Sequence, residues 1–243
     1  VTWSDIDQAD TATVTFQATM DDLPPGTEIE NTADLIWSSL PGDITTPQSA
    51  FNDLSIERVY DPGVDASITV TLPALPATGF APGRLTELPP APAVAPYAEF
   101  GDLWLEIPAL GLKTSIVGVP ASSTGWDLTW LWDQAGYLEG TALPTRPGNS
   151  ALTGHVYLPD GQPGPFLALK DLAWGQRIIV HYGAARSIYE VRQVKHVSPN
   201  DLSPLRHEDQ SWLTLITCED YLAARDRYAR RLVVRAVLVQ VRD

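Results

Sequence analysis

The sequence predicts a mainly β protein built from two unlike units. A partial immunoglobulin-like β-sandwich is expected over residues 1–74 and a closed or nearly closed β-barrel over 97–243, with a proline-rich stretch, 75–96, between them. Three observations carry this. Short β-branched runs recur along the chain between Pro and Gly turns, without the strand–helix alternation of βαβ units. Helical signals are weak and confined to 126–135 and 165–172. Charge is unevenly divided: residues 1–96 hold 14 acids against 2 bases (Arg58 and Arg84), whereas 97–243 hold 16 acids against 14 bases, a change of character that marks a domain boundary.

In the first unit, residues 11–19 (TATVTFQAT) alternate with period two in residues that favour strands. Residues 28–37 and 66–72 are further strand candidates, and Pro24-Pro25-Gly26, Pro41-Gly42 and Asp61-Pro62-Gly63 read as turns. Three or four strands make an incomplete sandwich. Its acids fit a solvated surface, and the Asp5, Asp7, Asp10 cluster lacks the Gly and terminal Glu of an EF-hand loop. Pro82, Pro89, Pro90, Pro92 and Pro96 with interspersed Ala predict a semi-rigid extended linker. In the second unit, strands are expected at 103–107, 112–117, 151–157, 177–182, 187–194, 212–218 and 232–241.

Composition bounds the function. At 44% hydrophobic residues over 243, a packed core is feasible. A net charge of −14 argues against nucleic acid as a partner, which calls for a basic face. The longest apolar candidate for a span, 232–239, is short and broken by Arg235, so no membrane anchor is read in this chain. The chain opens on Val1 in what reads as mid-domain sequence; a fragment is expected, and a missing signal or anchor says nothing about location.

Chemistry points to Cys218, the only cysteine, at the end of Thr-Leu-Ile-Thr-Cys, 214–218. A lone Cys makes no intrachain disulfide and is too few for a Cys-based metal site, which leaves an inert buried thiol or a reactive one. A reactive thiol needs a base or cation nearby. His155, after Leu152-Thr153-Gly154, lies at a strand end beside a glycine. Arg231 opens the last strand, so that neighbouring strands would place its guanidinium beside the thiol, where a permanent cation with a fork of donors suits an oxyanion.

In their order, these residues resemble the sortases, bacterial cysteine transpeptidases. Residues 214–218 match the sortase Thr-Leu-x-Thr-Cys signature, and 152–155 match the segment carrying the sortase histidine. The thirteen-residue step from Cys218 to Arg231 fits the spacing to the sortase arginine, with Arg230 the adjacent alternative. Glu106 to Leu112 (EIPALGL), Gly148-Asn149 and 166–169 also fit, so the likeness spans about 97–241. The resemblance implies an eight-stranded β-barrel with short helices. It implies attack by Cys218 on a Thr–Gly bond, a thioester, and resolution by an amine. His155 would serve as acid and base, Arg231 would hold the substrate backbone and the oxyanion, and Thr217 with Ile216 would line the substrate groove. It implies no cofactor; calcium, which some sortases use, has no ligand set that the pattern places here, and no metal residue is assigned. Implied partners are LPxTG-bearing surface proteins and an amine acceptor, a cell-wall precursor or a pilin, outside the cytoplasm at the bacterial cell envelope. The first unit is similar to repeated β-sandwich modules of bacterial surface proteins.

The chain also carries Leu75-Pro76-Ala77-Thr78-Gly79, a complete Leu-Pro-x-Thr-Gly sorting signal, followed by Phe80-Ala81-Pro82-Gly83-Arg84 in place of the hydrophobic segment and basic tail such a signal normally precedes. The linker behind it could extend about 55 Å at about 3.1 Å per residue. An internal substrate or pseudo-substrate is therefore expected, against the alternative that the motif is unused in cis. A cysteine hydrolase and a non-catalytic surface or adhesive protein are the competing functional readings; the loop 194–212 is expected to shape substrate choice.

Overall fold

Along residues 98–107 the side chains of Leu103, Leu105 and Ile107 are buried while Trp104 and Glu106 between them are partly exposed. This is the period of two by which a strand lines a core with one face. The same logic repeats around the sheet in the computed structural model of the protein, which describes residues 28–33, 37–38, 59–60, 66–71, 74–122 and 125–242. The chain divides into two compact units, Val1–Thr71 and Leu72–Asp243. The sorting-like motif and the proline-rich stretch thus belong to the second.

In the first unit, Glu28–Ala33 pairs antiparallel with Ala66–Thr71, and Trp37–Ser38 pairs antiparallel with Val59–Tyr60. The strand expected over 11–19 lies outside the described residues.

The second unit is a closed barrel of eight strands: β1 (Ala98–Ile107), β2 (Leu112–Val119), β3 (Ala135–Leu138), β4 (Asn149–Thr153), β5 (Arg177–Tyr182), β6 (Ala185–Val197), β7 (Trp212–Leu222) and β8 (Arg227–Arg242). Their order is β4-β7-β8-β6-β5-β1-β2-β3, with β3 closing on β4. β4 runs parallel to β7 and β2 parallel to β3; the other pairs are antiparallel. The interior is filled by Leu105, Ile107, Leu152, Phe166, Ile178, Val191, Leu215 and Val234 among others, each contributing about 1.5–3 kcal/mol through burial.

One strand was missed and several expectations are corrected. β3, Ala-Gly-Tyr-Leu, carries no β-branched residue and was not expected as a strand. No helix forms over 126–135: Trp126 ends a two-residue strand, Ala135 opens β3, and turns lie between, where the Asp127 carboxylate takes the Thr129 N–H (2.9 Å) and hydroxyl and such local bonds compete with a helix. The stretch 165–172 forms only a short 3-10 helix, Leu167–Asp171. The strand expected over 151–157 ends at Thr153; beyond it the Val156 N–H turns to Thr78 and the Val156 carbonyl to Gly164. The linker is also divided: residues 89–96 are exposed, but 75–86 lie bonded onto the barrel.

Candidate active site

The antiparallel pairing of β7 and β8 sets Cys218 directly opposite Arg231 and Ile216 opposite Val233. Residues two apart share a face, so these four form one patch of sheet. β4 runs parallel to β7 with Thr153 opposite Ile216. The Thr217 hydroxyl donates to the Gly154 carbonyl at 2.9 Å and ties the two strand ends together. Arg230, the neighbour of Arg231, turns away to the exposed carboxylate of Asp220 at 2.6 Å.

Buried Asn149 fixes the loop beside this patch. Its amide donates to the carbonyls of Pro204 (2.7 Å) and Arg206 (2.9 Å), and its carbonyl oxygen accepts from the Thr214 hydroxyl (2.7 Å). Both donors and the acceptor are thus in use, as a buried amide requires.

The chain's own Leu75–Gly79 lies across the patch. Leu75 is buried against Val197, Ile216 and Val233, with Leu202 and Leu205 of the β6–β7 loop around them. Its N–H donates to the Pro199 carbonyl at 2.7 Å. Arg231 Nε donates to the Pro76 carbonyl at 2.8 Å, and its terminal nitrogen reaches the Leu75 carbonyl at 3.5 Å. Ala77 is exposed. Thr78 is fully buried and meets Cys218 twice: its N–H donates to Sγ at 3.1 Å, and its hydroxyl oxygen accepts from the Cys218 N–H at 2.6 Å. The Thr78 and Thr217 hydroxyls stand 3.3 Å apart. The Thr78 carbonyl accepts from the Val156 N–H at 2.8 Å. At Gly79 a Cβ would fall 2.4 Å from Val156 Cγ1 and 3.1 Å from the Tyr228 ring, so glycine is the residue that fits.

His155 is 1% exposed. Burial pushes its pKa down to about 4, and the Leu128 carbonyl, which favours the charged ring, offsets only part of this. Nε2 lies 2.9 Å from the Leu128 carbonyl. A carbonyl can only accept, so Nε2 carries the proton and Nδ1 carries the lone pair. Nδ1 is buried without a hydrogen-bond partner, and the ring packs at 5.1 Å between centroids against Phe80.

The structure therefore brings Cys218, Arg231, Thr217, Ile216 and the 75–79 segment into one site, with His155 against the residue that follows the motif. The guanidinium of Arg231 lies on the Pro76 and Leu75 carbonyls, while the Thr78 carbonyl is held by Val156. Sequence reasoning did not single out Val156, Tyr228 or Pro199: the first and last act through backbone groups, and Tyr228 through a hydrogen bond to Phe80, 148 residues away in the same chain. A cavity of about 280 Å³ opens beside Cys218, lined by Val156, Tyr157, Lys170, Tyr221 and Tyr228 among others. Among the described residues no group of three or more His, Cys, Asp or Glu is placed to hold a metal ion.

A family model described as "Sortase domain" matches residues 105–239. No curated protein matches the chain. Solved structures similar to it include the sortase D5 transpeptidase of Clostridium perfringens, at 25% identity over 58% of this chain and 79% of that one, with a TM-score of 0.46. Sortase C-1 of Actinomyces oris is 28% identical over 57% and 73%, TM-score 0.48. A lid mutant of sortase A from Corynebacterium diphtheriae is 27% identical over 61% and 74%, TM-score 0.49.

Proposed function

This chain belongs to the sortase family, cysteine transpeptidases that act at the bacterial cell envelope on surface proteins bearing sorting signals, and on that premise we propose that it cleaves Leu-Pro-x-Thr-Gly signals between Thr and Gly and transfers the acyl group to an amine. The observation that carries this reading is the seating of Leu75–Gly79. Its leucine fills an apolar pocket, its variable position faces solvent, and its threonine sits on the only thiol in the chain.

In this reading Cys218 sulfur attacks the threonine carbonyl carbon, and the thiol proton passes to Nδ1 of His155, the ring nitrogen left free by the Leu128 carbonyl. The Val156 N–H, already on the Thr78 carbonyl, stabilises the oxyanion; one such donor is worth about 10²–10³ in rate. Arg231 sets the register through the two upstream carbonyls. As the C–N bond breaks, His155 returns the proton to the glycine nitrogen, leaving a thioester on Cys218 and a free amine. An incoming amine then attacks the thioester, gives its proton to His155 and restores the thiol. The cavity beside Cys218 gives that amine room. The acceptor class is a cell-wall precursor or a pilin amine, and the donors in trans are surface proteins with the same signal. The internal segment is a substrate or pseudo-substrate held in cis.

Intact-mass spectrometry of the full chain and of Cys218→Ala, each with a Leu-Pro-Ala-Thr-Gly peptide with and without triglycine, tests this. A Cys218-dependent thioester that converts to triglycine-ligated peptide is expected. Cleavage that ignores triglycine and yields only the free acid would instead identify a hydrolase. Absence of adduct, ligation and cleavage, also after Leu75→Ser/Pro76→Ala has unseated the internal motif, would overturn the proposal.

A further inference from the structure

The grip of the barrel on its own chain does not end at Gly79. Phe80 N–H donates to the Tyr157 carbonyl (3.1 Å), and the Tyr228 hydroxyl donates to the Phe80 carbonyl (2.7 Å). Further on, Gly83 N–H donates to the Gly161 carbonyl (2.9 Å) and Thr86 N–H to the Pro159 carbonyl (2.7 Å). Between these, the Arg84 guanidinium pairs with the Asp226 carboxylate at 2.7 Å. Asp226 is poised for this at the β7–β8 turn: it sits in the left-handed region (φ 48°) and also takes the Tyr221 hydroxyl, which holds its carboxyl below the usual carboxylate range. The fit is close at Gly161, where a Cβ would fall 2.4 Å from the Arg84 nitrogen. None of these residues belongs to the sorting motif, and all lie on the side of the Thr78–Gly79 bond that departs as the amine.

We propose that residues 80–86 occupy a leaving-group subsite that makes cleavage of the chain's own motif reversible. The inference rests on the reading of Cys218 as the nucleophile toward Thr78. When the Thr78–Gly79 C–N bond breaks, Thr78 becomes the acyl half of a thioester and the Gly79 nitrogen takes a proton from His155. The subsite keeps that amine beside the thioester. Its attack re-forms the peptide bond, returns a proton through His155 and frees the Cys218 thiol, with no net consumption of any group. An amine held in place acts at an effective concentration far above that of a diffusing acceptor, so resealing outruns transfer and the barrel stays latched without losing its chain.

Arg84 and Asp226 are exposed, and water screens an exposed pair so that its loss alone changes little; charge reversal is therefore the sharper test. Full-length wild type, Arg84→Glu and Arg84→Glu/Asp226→Arg are incubated with triglycine, and the 1–78–triglycine product and the 79–243 fragment are quantified by mass. Arg84→Glu should raise both by at least about threefold over wild type, and the double reversal should bring them back. Equal yields in wild type and Arg84→Glu, or no return on double reversal, would sink the latch. The Leu75→Ser/Pro76→Ala chain, assayed on an added Leu-Pro-Ala-Thr-Gly peptide with triglycine, separates the two failures. Product there with no effect of Arg84→Glu removes only the subsite; no product there removes the transpeptidase reading beneath it.

Discussion

Leu75→Ala gives the most direct measure of how far the internal segment blocks the groove. Leu75 is 1% exposed, and its partners Val197, Ile216 and Val233 form a small cluster apart from the barrel core. Truncation removes three carbons from that pocket, about 2–3 kcal/mol at roughly 0.8 kcal/mol per buried carbon with a modest cavity contribution. Because the pocket is not part of the barrel core, the loss falls on docking of the segment more than on folding of the barrel. At about 1.4 kcal/mol per factor of ten, the undocked population should rise about 30- to 140-fold. The assay is the initial rate at which the full chain joins a labelled Leu-Pro-Ala-Thr-Gly peptide to triglycine, with a thermal melt to show that the barrel persists. The expected result is a rate increase of at least tenfold, up to the point where the open form saturates. A variant that melts like wild type and transfers no faster would refute the reasoning, since the pocket would then not limit access to Cys218.

Other consequences follow from the same geometry. Gly79→Ala places a methyl 2.4 Å from Val156 Cγ1; self-cleavage at Thr78–Gly79 should vanish by mass spectrometry, while transfer onto an added peptide continues. Arg231→Lys leaves a point charge that cannot span the Pro76 and Leu75 carbonyls; the loss of about 1.5–3 kcal/mol for a charged hydrogen-bonding group predicts at least a tenfold fall in kcat/KM for peptide transfer. His155 has a folded pKa of about 4 against an ordinary value of 6.5. The unfolded chain therefore binds the extra proton between those values, so stability is full above about pH 6.5 and falls as the pH drops toward 4. The contribution is about 3 kcal/mol, and denaturant melts of Cys218→Ala should show a slope across that window that His155→Gln flattens.

What could be read from the sequence divides along physical lines. The placing of Cys218 beside Arg231 was legible because β-strand register converts sequence spacing into proximity: the pairing of β7 with β8 is what sets the two across from each other. β3 was illegible because its four residues, of which only Tyr137 favours a strand, are held by a parallel ladder to β2, with Ile116 opposite Ala135 and Val119 opposite Leu138, and by antiparallel pairing with β4.

The proline-rich stretch marks the boundary most clearly. Its composition reports stiffness and reach, and from those alone a free spacer follows. Yet Leu75–Thr86 is bonded along its length to the barrel. The motif half of that docking could be anticipated, since a Leu-Pro-x-Thr-Gly segment carries side chains that a complementary groove must recognise. The half beyond Gly79 could not, because its partners are chiefly carbonyls, of Tyr157, Pro159 and Gly161, which every residue possesses. Only the fold brings those carbonyls into line, and the side chains add chiefly the Arg84–Asp226 pair and the Tyr228 hydroxyl on the Phe80 carbonyl. That pair spans 142 residues of sequence, too far for any local pattern to join. A groove built from side chains and a subsite built from backbone therefore differ in how they can be altered. Substitution readily retunes the first, whereas the second responds to charge reversal at its one ion pair or to loss of the N–H groups it holds.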